Sequence, residues 1–253
     1  MFPIIFLYIV ILLYGVIIGS FLNVCIYRIP KKENIATTRS HCMSCGYQLK
    51  WYDLVPLFSY LVLRGRCRKC GSKISVQYPL VEVLNGGLYL LVFWRYGLSI
   101  DSLLYCFLFS ALVVLSVIDF RTYEIPPGIN FFILTLGLIR IVTDLQNWFS
   151  YGIGLLSVSI TLLLIYLVTK GRGIGGGDVK LMAAAGLLLG WKLNLLGFLL
   201  GCILGSVIHV CRMKIAGEGR VLAMGPYLAM GIAISAIWGE QMIAWYLSFV
   251  GLS

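Results

Sequence analysis

Charge is what this sequence has least of. Of its 253 residues, 12% are charged and only ten are acidic, while 60% are hydrophobic. Soluble domains average about 25% charged residues, so the side chains needed to cover a water-facing surface are missing. That excludes an ordinary soluble enzyme and makes lipid the solvent for the long apolar runs. The formal net charge of +10 is not a nucleic-acid footprint either. Half of the 20 Lys and Arg residues lie between Arg28 and Lys73, and the others sit in short loops between apolar runs. Cations distributed in that way are topology signals rather than a continuous basic face.

Other absences narrow the reading further. Met1-Phe2-Pro3 carries no basic segment, and no small-residue cleavage site precedes Arg28. The first apolar run is therefore expected to be retained as a span rather than removed as a signal peptide. The glycine-rich stretch Gly171, Gly173, Gly175, Gly176, Gly177 lacks the Gly-Lys-Ser/Thr ending of a phosphate loop, and no strand precedes it. It reads instead as an interfacial hinge that lets a substrate backbone approach closely. No internal repeat points to an inverted-repeat transporter.

What is present is a series of about eight apolar runs: Ile4–Ile26, Leu80–Tyr96, Ser102–Ile118, Ile129–Thr143, Trp148–Thr169, Val179–Gly190, Leu193–Val210 and Val221–Phe249. The sixth is short for a crossing, which takes about 20 residues. With Arg28–Gln77 placed in the cytoplasm, the cytoplasmic segments hold 17 of the 20 cations, and only Arg95, Arg140 and Lys192 fall outside. Every loop then obeys the positive-inside rule, and both termini face outward. Gly197, Gly201 and Gly205 repeat every four residues, a face suited to close helix packing. The fold class expected is all-α: a polytopic membrane bundle with a small cytoplasmic loop domain. The divisions are a first helix over 1–27, a four-cysteine loop over 28–78 and a membrane core over 79–253.

Eight cysteines occur, and four of them lie in or at the ends of apolar runs as packing residues. The other four form Cys42-x-x-Cys45 and Cys67-x-x-Cys70, separated by 21 residues, with Gly46 and Gly71 each following a pair. Paired CxxC knuckles match the tetrahedral thiolate pattern of a structural zinc site. A disulfide framework would need an oxidising compartment, whereas the charge count places this loop in the cytoplasm. A loop of this size has little core of its own, so Zn²⁺ bound by Cys42, Cys45, Cys67 and Cys70 would hold it folded rather than catalyse.

Two of the ten acids call for more explanation. Asp119 ends the run Leu112–Ile118, and Asp178 begins the run that follows the glycine hinge. By the topology above, both lie at the cytoplasmic edge, at one depth. Two carboxylates close together in low dielectric cannot both ionise, so such a pair shares a proton. One member then acts as base toward water and the other as acid toward a peptide carbonyl, which is aspartyl protease chemistry. A competing reading makes each aspartate a helix cap or the partner of Arg121 or Lys180. It suits Asp178, which precedes a helix, better than Asp119, which ends one.

Gly175-Gly176-Gly177-Asp178 fits the Gly-x-Gly-Asp signature of intramembrane aspartyl proteases. The wider pattern resembles the bacterial type IV prepilin peptidases. It comprises Gly19–Val24 with Tyr27–Pro30, the loop segments Arg39–Cys42, Trp51–Asp53 and Leu63–Cys67, Tyr78–Glu82, Asp119 with Ile125-Pro126, Gly173–Leu181 and Gly225–Ala229. The resemblance runs nearly end to end. It implies a bacterial cytoplasmic membrane enzyme in which Asp119 and Asp178 are catalytic, cutting the short basic leader of type IV prepilins or pseudopilins. Many relatives then methylate the new N-terminus with S-adenosylmethionine, an activity the cysteine loop tends to accompany. Peptidase activity alone is the alternative, and a proton- or cation-coupled transporter is a remote one. No soluble-type fingerprint for S-adenosylmethionine occurs. Asn23, Glu82 and the cysteine loop are candidates to contribute, and no cofactor ligands are assigned. The chain departs from the family pattern at Phe120, Pro127 and Met224, of which Pro127 bears on how the fourth span begins.

Overall fold

The computed structural model describes residues 2–216 and 222–251. Arg220, counted above among the cytoplasmic cations, and Val221, the expected start of the last span, lie outside the described residues. Among those described there is no β-strand, only two isolated bridges in the cysteine loop. Among the described residues nine α-helices follow one another: α1 (Phe2–Arg28), α2 (Phe58–Val62), α3 (Gln77–Tyr96), α4 (Ile100–Thr122), α5 (Pro127–Thr143), α6 (Trp148–Val168), α7 (Gly176–Leu189), α8 (Trp191–Ala216) and α9 (Gly225–Val250).

Among the described residues five segments are long and apolar enough to cross a bilayer: Ile4–Arg28, Ile100–Thr122, Leu145–Val168, Trp191–Ile215 and Gly225–Val250. The other apolar runs fall short of that measure for visible reasons. α3 has the length, but Glu82, Asn85 and Arg95 dilute its hydropathy. α5 has 17 residues and α7 only 14, which at about 1.5 Å per residue is less than the roughly 30 Å of a hydrocarbon core.

The chain forms two compact units, Met1–Val114 and Leu115–Ser253, with the division inside α4. In the first, α1 and α3 lie side by side at backbone contact. A Cβ on Gly19 would stand 2.7 Å from the Glu82 Cα, and one on Gly15 would stand 2.8 Å from the Gly86 Cα. Polar groups buried by this approach are paired, as low dielectric requires. Asn85 Nδ2 donates to the Gly15 carbonyl at 2.7 Å, and Ser110 Oγ donates to Asn85 Oδ1 at 2.9 Å. Asn23 ties the end of α1 to the start of α3, donating to the Tyr78 carbonyl at 3.1 Å and accepting from Gln77 Nε2 at 3.2 Å.

In the second unit, short α7 is the enclosed element. Leu181, Met182, Ala184, Ala185 and Gly186 through Leu189 are all buried, with α5, α6, α8 and α9 packed around it. A helix shielded in this way does not need the length of one that faces lipid. The repeat Gly197, Gly201, Gly205 packs against α9, where a Cβ on Gly201 would stand 3.0 Å from the Leu228 Cα. The face is a packing surface, as its spacing suggested.

Candidate active site and metal centre

The sequence predicts that Asp119 ends its helix. In the structure α4 runs on to Thr122, so Asp119 sits in the last turn. The extension is supported by Thr122 Oγ1, which donates to the Ile118 carbonyl at 3.0 Å. The Asp119 side chain is buried, and its Oδ2 accepts the Gly225 backbone N–H at 2.9 Å. Gly225 opens α9, so one of that helix's orphan N-terminal donors is spent on the carboxylate. A Cβ at position 225 would lie 2.7 Å from Asp119 Oδ2 and 3.1 Å from Leu115 Cδ2, so a larger residue would force the carboxylate to shift.

Asp178 is also buried and occupies the third position of α7, with Gly175 as the extended N-cap. The positive end of the helix favours a carboxylate there. Asp119 is near enough for its charge to bear on Asp178. The two motif carboxylates, 59 positions apart in the sequence, are therefore brought into one buried neighbourhood.

The motif glycines now have separate physical reasons. A Cβ on Gly175 would stand 3.0 Å from Asp178 Oδ2, and one on Gly177 would stand 2.8 Å from the Ile125 Cβ. Gly176, the unrestricted position of the signature, would meet only ordinary contact with Tyr166 at 3.6 Å. The Ile125-Pro126 pair thus belongs to the same structure as the second aspartate, with Ile125 lying against Gly177. Pro127 takes the first helical position of α5, where a missing N–H leaves no bond unmade. Phe120 is exposed and lies under the Arg212 guanidinium at 4.9 Å from its ring centre.

Asn130 escaped sequence reasoning. It is buried, its Nδ2 donates to the Gly177 carbonyl at 3.2 Å, and its Oδ1 has no hydrogen-bond partner. Asn130 thereby braces the turn that carries Asp178. The Gly225 N–H was missed as well, although the Gly225–Ala229 motif had drawn attention to that stretch.

The four loop cysteines converge, with their sulfurs all within 4.8 Å of one another. Two copies of one knuckle do this, offset by 25 residues. The Cys42 N–H donates to the Tyr47 carbonyl as that of Cys67 does to Ser72, both at 2.8 Å. Gly46 N–H returns to Cys42 as Gly71 does to Cys67, both at 2.9 Å and with φ of 68° and 71°. The bridges His41–Gln48 and Arg66–Lys73 close the two turns. Buried Asp53 fastens one knuckle to the other. It accepts from Arg68 Nε at 2.8 Å and from the Lys50 N–H at 3.2 Å.

The sulfur geometry fits a divalent ion. A tetrahedron with bonds of about 2.3 Å has edges of about 3.8 Å, and Cys42 and Cys70 stand 3.9 Å apart. Without an ion the thiols divide their charge unevenly. Backbone N–H groups of Ser44 and Cys45 pull Cys42 down to about 6. At Cys45 the Tyr47 N–H also favours thiolate, but desolvation and the Cys70, Cys42 and Cys67 sulfurs outweigh it and push the group up to about 11. A cation among the four would let all of them ionise.

Asn23 and Glu82 lie in the first unit with structural partners. Asn23 joins α1 to α3 as described, and Glu82 Oε2 accepts the Leu57 N–H at 2.8 Å.

Apolar helices long enough to span a bilayer, with a buried carboxylate pair at helix ends, define a polytopic membrane protein with a candidate acid–base centre. The comparisons with known proteins say which. Residues 13–96 match the bacterial peptidase A24 N-terminal domain, and residues 106–210 match the type IV leader peptidase family. The chain is 34% identical to a prepilin leader peptidase/N-methyltransferase of Pseudomonas putida, over 94% of this chain and 92% of that one. It is 34% identical to its namesake in Legionella pneumophila, over 96% of both chains, and 29% identical to that of Bacillus subtilis, over 94% and 97%. No solved structure matches. The chain belongs to the type IV leader peptidase family, a family of membrane peptidases.

Proposed function

We propose that this protein is an aspartic endopeptidase that removes the short basic leader of type IV prepilins and pseudopilins at the cytoplasmic edge of the bilayer. It then N-methylates the residue it exposes, using S-adenosylmethionine. The observation that carries this reading is the burial of Asp119 and Asp178 in one neighbourhood at helix ends. Near-full-length similarity to prepilin leader peptidase/N-methyltransferases supports it.

In this reading the carboxylates hold one proton between them. The ionised member takes a proton from water as the oxygen bonds to the scissile carbonyl carbon. The protonated member gives its proton to the carbonyl oxygen. Collapse of the tetrahedral diol breaks the C–N bond: the member now protonated gives its proton to the departing amine, and the ionised member takes one from a diol hydroxyl, which restores the singly protonated pair. The Gly225 N–H holds Asp119 in place, and Asn130 with Ile125 holds the Gly175–Asp178 turn. Methyl transfer from the sulfonium donor to the new α-amine releases one proton.

The organisation proposed is the one read from charge: eight spans, a first helix over 1–27, a cytoplasmic cysteine loop over 28–78 and a membrane core over 79–253. The bound ion is Zn²⁺, held by Cys42, Cys45, Cys67 and Cys70 as a fold-stabilising centre. The test uses purified protein in detergent with a prepilin, read by mass spectrometry. Leader loss with wild type, but with neither Asp119→Asn nor Asp178→Asn, supports the pair, and a donor-dependent gain of one methyl supports the second step. Cleavage surviving in either variant sinks the mechanism.

A further inference from the structure

Glu82 is a buried carboxylate that the peptidase reading leaves unused. Its Oε2 holds the Leu57 N–H at 2.8 Å, and Leu57 has φ 58° and ψ −50°. A branched side chain rarely adopts positive φ, and it stays there only where the surroundings over-determine it. Bond and backbone together fix the start of α2 against the second turn of α3.

This tie sets a depth. Glu82 lies five residues after Gln77, the first residue of α3, which is about 7.5 Å along the axis. Its side chain leans back toward the start of that helix. The start of α2 therefore lies level with Pro79–Glu82, where the expected second span begins.

The same segment presents an unpartnered apolar stripe. Trp51, Leu54, Val55, Phe58, Leu61 and Val62 are 80, 45, 37, 64, 72 and 60% exposed. In α2 the one-turn spacing puts Phe58 on the same side as Leu61 and Val62, and Trp51, Leu54 and Val55 precede it in a 3-10 turn and a bend. In water such a stripe would be a liability. Exposed Lys50 and Arg64 flank it, and the one acid between them, Asp53, is buried on Arg68. An apolar face with cationic ends at a membrane boundary has the composition of an interfacial segment.

We infer that Trp51–Val62 is a lipid-binding surface that lies in the interface of an anionic bilayer. Its apolar stripe enters the acyl boundary, and Lys50 and Arg64 meet the phosphates. Glu82 is the latch that sets its depth. The cysteine loop is thereby kept at the membrane surface. This inference rests on the reading of α3 as a membrane span.

The test places a photo-crosslinking benzoylphenylalanine at Phe58, Leu61, Lys69 or Leu84 of the full chain. Each variant is reconstituted in vesicles of phosphatidylethanolamine and phosphatidylglycerol, and adducts are read by mass spectrometry. Lipid adducts at 58 and 61 are expected within about twofold of those at 84 and about tenfold above those at 69. Adducts at 84 with only the Lys69 background at 61 would overturn the inference and leave the span standing. Absence of lipid adducts at 84 would overturn both. If added prepilin took over the crosslinks at 61, the face would be a peptide site and the lipid assignment would fall. Glu82→Gln keeps an acceptor for the Leu57 N–H and should preserve labelling at 61, while Glu82→Ala should lower it several-fold. Equal labelling in all three backgrounds would remove Glu82 from the proposal.

Discussion

The cysteine loop and the carboxylate pair are built in opposite ways. Each knuckle of the loop is closed by bonds between residues at most nine apart, from Ser40 to Leu49 and again from Gly65 to Ile74. The carboxylate centre is assembled from afar: the Gly225 N–H reaches Asp119 across 106 residues, and Asn130 reaches Gly177 across 47. The first kind of site can be spelled in a few consecutive letters. The second exists only when helices α4, α5, α7 and α9 are in place.

That contrast is open to breakage, most severely at the aspartates. Asp119→Asn and Asp178→Asn should each lower leader cleavage by at least about 10²–10⁴-fold, the range of a lost general acid or base. Loop metal, measured by mass spectrometry of the digested protein, should not change. Metal loss in these variants would show the two regions to be one. Conversely, replacing Cys42, Cys45, Cys67 and Cys70 by serine should abolish zinc binding and methylation while cleavage falls by less than about tenfold. Full methylation by the four-serine protein would end the idea that the loop serves that step.

A subtler change separates the motif glycines. Gly225→Ala and Gly177→Ala drive a Cβ to within 2.7 Å of Asp119 Oδ2 and 2.8 Å of the Ile125 Cβ. Such overpacking costs about 1–3 kcal/mol, and a shift of about 1 Å at the carboxylates lowers kcat by up to about 10²-fold. Gly176→Ala meets only ordinary van der Waals contact with Tyr166 and should keep near-wild-type turnover. Similar kcat values for all three would refute the geometric reading of the motif.

The smallest effect lies in the stripped loop. After chelation, Cys42 with its pKa near 6 should alkylate first at pH 7, and Cys45 near 11 last. Depressed by its backbone donors, the Cys42 thiolate persists above about pH 6 and is lost as pH falls through that value. The preference should therefore fade by pH 5. Peptide mapping of the alkylated protein at the two pH values checks the order.

Legibility followed the same division. The apolar runs announced the helices because exclusion from water is a property of composition. Their ends shifted because apolarity does not mark where hydrogen bonding stops. α4 carries Asp119 one turn inside the helix, and α7 starts at Gly176, two residues before its aspartate. Both aspartates were visible in the sequence, one as the end of an apolar run and the other beside its glycine hinge. Their supports were not, since nothing about Asn130 or the backbone of Gly225 is unusual until Gly177 and Asp119 arrive beside them.

The sequence by itself determined the solvent, the number of apolar runs and both cysteine knuckles. These depend on composition and on spacings of a few residues. Tertiary structure decided which helices come within backbone contact, how the carboxylates are held, and why a Cβ is crowded at Gly175 and clashes at Gly177 while Gly176 has room for one. Those outcomes depend on atoms brought together from distant parts of the chain, where a single Cβ decides whether the approach is possible.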